Sequence, residues 1–204
     1  SERHQRIGLL SKDTPSSAAE LSCYTESEIA MSAEVEIEPI APRHAEDVRR
    51  LASHPDVVAT TNLLDPYPPD GTKRWIEDLL PKQEEGDECA FGILNEDGEF
   101  VGVTGLVDVG EEAAELGFWI GKPCWNRGYA TVAARKTIRF AFEQLELERV
   151  FGRPLRRNAP SRRALKKLDF EQGPVETHEH PKWSEEDKVV RYELNRSRWT
   201  EHSA

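Results

Sequence analysis

The run Glu115-Leu-Gly-Phe-Trp-Ile-Gly-Lys-Pro-Cys-Trp-Asn-Arg-Gly-Tyr-Ala-Thr-Val-Ala-Ala-Arg-Lys136 reads as a strand, a tight glycine turn and the start of a helix. Within the strand Phe118 and Ile120 fall on one side, because alternate residues share a face. After the turn, Ala134, Ile138, Ala141, Phe142 and Leu145 recur at helical spacing and predict one wide apolar face running to about Leu147. A helix N-terminus presents unpaired N–H groups and the positive end of the peptide dipole, so a glycine turn feeding one is a seat for a phosphorylated ligand. Taken alone, such a turn serves any phosphate.

Upstream, Val35-Glu-Ile-Glu-Pro-Ile alternates like a half-buried strand, with Pro39 at its end or on an edge. Ala41 to Ala52 reads as a helix with the apolar row Ala45, Val48, Leu51 and Ala52. Asn62 to Gly71, with three prolines around Tyr67, is a loop. A second helix, capped by Asp70 or Thr72, carries Trp75, Ile76, Leu79 and Leu80 and is expected to stop at Pro81. Apolar runs on either side of Asn95-Glu-Asp-Gly98 predict a hairpin.

Downstream, Arg149-Val-Phe-Gly reads as a strand, and Asn158-Ala-Pro-Ser161 caps a short helix through Leu168. Strands follow between Phe170 and Val175 and from Val189 to Leu194. This order calls for an α/β domain, a mixed sheet with helices packed on it. The expected organisation is a disordered extension over residues 1–33, one domain over 34–196 and a frayed tail over 197–204.

The formal net charge of −11 argues against broad nucleic-acid or anionic-membrane binding. No run approaches the roughly 18 apolar residues that span a bilayer. Cys23, Cys89 and Cys124 show neither metal-ligand nor disulfide spacing, and the expected compartment is the reducing cytoplasm. Against the overall sign, residues 149–167 hold eight Arg or Lys and no acid.

The strand Glu115–Gly121, the turn Trp125-Asn-Arg-Gly-Tyr-Ala-Thr131 and the pair Asn158–Ser161 and Leu168-Asp169-Phe170 together resemble the GNAT N-acetyltransferases. The branch with the ribosomal-protein N-terminal alanine acetyltransferases is the most similar. Two departures stand out: Trp125 where Gln or Arg is usual, and Asp169 where Gly is usual, which is expected to distort the turn after the short helix. No tyrosine lies between Asn158 and Phe170, where many relatives carry the leaving-group acid.

The resemblance implies a mostly antiparallel central sheet, acetyl-coenzyme A as co-substrate, no metal, and a primary amine as acceptor, either a protein N-terminus or a small molecule. Asn126, Arg127, Gly128, Tyr129, Ala130 and Thr131 would hold the pyrophosphate, and Phe118, Trp119 and Ile120 would pair their backbone with the pantetheine arm. Glu115 is the candidate base, Ser161 the candidate proton donor to sulfur, and Asn158 either holds the pantetheine amide or orders water. Arg162 or Arg163 is expected near the coenzyme 3′-phosphate. His178, His180, Trp183 and the Tyr67 loop are expected to border the acceptor cleft, with a cationic acceptor modestly favoured by the acidic chain. A homodimer stays open, as do a non-catalytic acyl-coenzyme-A sensor and an interaction module built on the same fold.

Overall fold

The computed structural model describes residues 34–178 and 180–203, so the expected N-terminal extension lies outside the described residues. Seven strands form one sheet: β1 (Glu36–Pro39), β2 (Cys89–Leu94), β3 (Phe100–Val107), β4 (Ala113–Ile120), β5 (Arg149–Gly152), β6 (Glu171–Thr177) and β7 (Lys188–Asn195), in the order β1-β2-β3-β4-β5-β7-β6. All pairings are antiparallel except β4 with β5. The mixed, mostly antiparallel sheet flanked by helices is therefore present.

Helices α1 (Ala45–Ala52), α2 (Pro55–Val58) and α3 (Gly71–Glu85) lie between β1 and β2; α4 (Tyr129–Glu143), α5 (Ala159–Lys167) and α6 (Arg196–Ser203) follow the central strands. One core cluster joins α1 and α3 to the sheet through Val48, Leu51, Ile76, Leu79 and Val103, with Trp119 packed against it. The opposite face buries Leu106, Leu116, Val190, Tyr192 and Leu194 against Ile138, Ala141, Phe142 and Leu165 of α4 and α5. Leu116 and Trp119 thus point to opposite faces of β4, as its alternation requires.

One expectation fails. Helix α3 runs through Pro81 to Glu85. Proline removes one backbone bond near the helix end, which costs about 3 kcal/mol in a helix interior. Two features hold the final turn: Gly86 closes the end at φ 81°, and Gln83 Oε1 accepts the Ala90 N–H at 2.9 Å. Beyond β7, residues 196–203 form α6, and Trp199, 9% exposed, packs on Phe142 at 6.1 Å. A lone tryptophan in a polar run carries no period, so only the tertiary partner reveals it.

Candidate active site

β4 pairs with β3 along most of its length, from Val107↔Glu115 to Gly102↔Ile120. On its other side it meets β5 for three residues only, ending at Glu115↔Phe151, after which the strands part. After Gly152 the chain stays with the β7 side, where Val190 N donates to the Pro154 carbonyl and Leu155 bridges Val189, and so leaves β4 behind.

A cleft of about 400 Å³ lies along the freed edge, lined by Phe118–Ile120, the turn 124–131 and the start of α5. The turn is held by the Trp125 indole N–H, which donates to the Ile120 carbonyl at 2.7 Å. Lys122 sits 4.1 Å from the Trp125 ring centre. The tryptophan that departs from the usual Gln or Arg therefore ties the turn to the end of β4. Asn126 at φ 62° and Gly128 at φ 85° reverse the chain, and the first bonds of α4 run from Thr131 and Val132 to the Gly128 carbonyl. The amides ahead of them have no acceptor within the helix.

All the proposed coenzyme contacts, Phe118, Trp119, Ile120, Asn126 to Thr131, Asn158 and Arg163, border this cleft, as does Ser161. Their contributions differ. Tyr129 is 2% exposed and its hydroxyl donates to Glu96, so it offers the cleft only its backbone. Arg127 is fully exposed, and its hydrogen bond with Tyr129 holds its guanidinium above the ordinary range. Asn158 caps α5, with Oδ1 accepting from Ser161 N at 3.2 Å and Nδ2 donating to the Thr60 carbonyl at 3.3 Å. The Ser161 hydroxyl has no partner among the described residues.

The basic run disperses once folded. Arg163 and Lys167 reach the cleft, whereas Arg162 turns to the Tyr192 hydroxyl and the Arg156 carbonyl. Arg153 binds Glu115, and Arg157 binds Asp187. No carboxylate stands among the described lining residues, so the electrostatics suit a polyanion. The cleft fits coenzyme A on three grounds: a strand edge for an amide-bearing arm, a helix N-terminus for a pyrophosphate, and two free cations beyond it.

Glu115 does not border the cleft. It points from β4 toward Arg153, whose Nε and Nη2 both donate to Oε2, at 3.0 and 2.6 Å. Beyond Arg157 lies a second cavity, of about 570 Å³, walled by Leu64, Asp65, His180, Pro181, Lys182 and Trp183. The expected acceptor-side groups His180 and Trp183 meet there; His178 touches Trp183, at 6.1 Å between ring centres, and Tyr67 instead bonds Thr72.

Sequence reading missed Lys182, whose ammonium donates to the carbonyls of Val58, Thr61 and Leu63 and so pins the β6–β7 connection to the end of α2. Burial, with Arg157 adding and Asp65 opposing, pulls that ammonium below its usual range. No local signal marks a lysine whose partners lie about 120 residues away.

Residues 34–171 match the family model for the acetyltransferase (GNAT) domain. The chain belongs to the GNAT acetyltransferase family. It is thereby an acetyl-coenzyme-A-dependent N-acetyltransferase by class. The FsC-acetyl coenzyme A-N(2)-transacetylase of Aspergillus fumigatus is 26% identical over 82% of this chain and 76% of its own length. The uncharacterized N-acetyltransferase p20 of Bacillus licheniformis is 28% identical over 58% and 68%. The spermidine N-acetyltransferase of Vibrio cholerae, solved with CoA and spermine, aligns with a TM-score of 0.72 over 81% of this chain and 98% of that one; at 13% identity it speaks for the GNAT fold alone. Among the described residues no group of three or more His, Cys, Asp or Glu is placed to hold a metal, and no helix is long and apolar enough to cross a membrane.

Proposed function

We propose that this GNAT protein moves acetyl from acetyl-coenzyme A to a primary amine, a protein N-terminus or a small molecule, by direct attack in a ternary complex. The parting of β4 from β5 beside the N-terminus of α4 carries this reading. Acetyl-coenzyme A supplies the activated acyl carbon. The amides from Arg127 to Thr131 bind its pyrophosphate, and Arg163 with Lys167 the outer phosphate. Main-chain N–H groups of β4 on the edge facing away from β3 serve the pantetheine arm and the charge that develops on the carbonyl oxygen.

Glu115 takes the proton of the attacking amine through Oε1, the oxygen that Arg153 leaves unbonded. The Ser161 hydroxyl donates to the departing sulfur, and Asn158 fixes its backbone. Thiol release over panels of amines and peptides tests the reading. We expect Glu115→Gln to lower kcat about 100-fold and Ser161→Ala at least about tenfold. Full activity in both variants overturns these roles, and failure to bind acetyl-coenzyme A at millimolar concentration overturns the enzyme.

A further inference from the structure

The face of β4 that carries Trp119 holds a pair of opposite charges whose bonding capacity is half used. Glu115 and Gly117 share that face, and a Cβ built on Gly117 would meet nothing within 4 Å, so the floor beside Glu115 is open. Both Arg153 donors converge on Glu115 Oε2, which leaves Oε1 and the Nη1 end of the guanidinium without partners among the described residues. The two side chains keep 16% and 40% of their surface exposed, so both free ends can be reached.

His178 feels the charges of both Arg153 and Glu115. Its Nδ1 accepts the His180 N–H at 2.8 Å, which leaves the ring proton of the neutral imidazole on Nε2 as a second donor. Burial, then His180 and Arg153, favour that neutral form. Its ring lies against Trp183, and beyond it stand Pro181 and Leu64, 55% exposed, as an apolar wall of the larger cavity.

We propose that this site recognises an α-amino carboxylate: the amine on Glu115 Oε1, the carboxylate on the free Arg153 donors, and an aliphatic or aromatic side chain against Trp183 and Leu64. The proposal rests on the acetyl-transfer reading above and narrows its acceptor. Glu115 and Asp187 are paired with Arg153 and Arg157, so the Glu115–Arg153 pair offers one partner for an ammonium and one for a carboxylate.

The test compares kcat/KM in thiol release for L-leucine and L-phenylalanine, their primary amides, and spermidine. We expect each free acid to exceed its amide by about tenfold or more, since the amide leaves Arg153 without its charged partner. In Arg153→Gln the acid and amide converge to within about threefold, chiefly through a raised KM for the acid, and Arg153→Lys restores part of the gap. Coenzyme A affinity by calorimetry reports that the variants remain folded. Amides or spermidine used as well as the acids, or an acid preference that survives Arg153→Gln, overturns the acceptor assignment alone. Bound acetyl-coenzyme A with no thiol release for any amine overturns acetyl transfer and the assignment together.

Discussion

At the scale of single residues, Asp169 shows how a departure from the family pattern is absorbed. It adopts φ 63°, the left-handed conformation in which glycine is unstrained, and Phe170 N still donates to the Leu165 carbonyl at 3.1 Å. The turn is therefore kept, not distorted as the sequence suggested, because aspartate tolerates this region at modest cost. Asp169→Gly should change stability by less than about 1 kcal/mol in urea unfolding, because relief of the left-handed φ is offset by the freedom glycine gains in the unfolded chain. The cysteines differ in the same local way. Cys89 is 1% exposed and burial pushes its thiol up to about 12, while Cys124 borders the cleft beside the start of α4. A thiol reagent should label Cys124 and spare Cys89 in the folded protein, and saturating coenzyme A should slow the labelling of Cys124, read by peptide mass mapping.

At the scale of elements, α4 sets the cleft because its buried face fixes where its N-terminus points. Ala134, Ile138 and Ala141 are fully buried under the sheet. Ile138→Ala should cost about 2–5 kcal/mol in urea unfolding by leaving a cavity at that contact. This helix was legible because five apolar residues repeat at one period. α3 was legible at its start but not at its end: Pro81 is a local stop signal, and what carries the helix past it is a bond from Ala90 on β2. Local signals compete with tertiary partners, and at element ends the partners win.

At the scale of the molecule, ionisation links the pair His178 and His180 to stability. Burial first, then neighbouring charge, holds His178 and His180 below the usual 6.5. Their depressed values mean the unfolded chain binds these protons first, so stability present above about pH 6.5 is lost as pH falls through the folded values. Glu38 adds a second, lower window. Burial is the largest influence on it and pushes it up, but the His44 and Arg43 bonds together outweigh that and hold it below 4.5. Its contribution disappears as pH falls under that value. Urea midpoints against pH should show both stages, with the pair His178→Gln and His180→Gln removing the upper one and Glu38→Gln weakening the lower. By itself the sequence determined the family, the order of the strands and the turn from Arg127 to Thr131 that opens α4, because motif and periodicity are local. Only the tertiary structure decided that Glu115 is met by Arg153, that Arg162 turns away while Arg163 and Lys167 face the cleft, and that Lys182 pins the far wall. Those are pairings of side chains distant in sequence, and charge, unlike hydrophobic period, carries no mark of its partner.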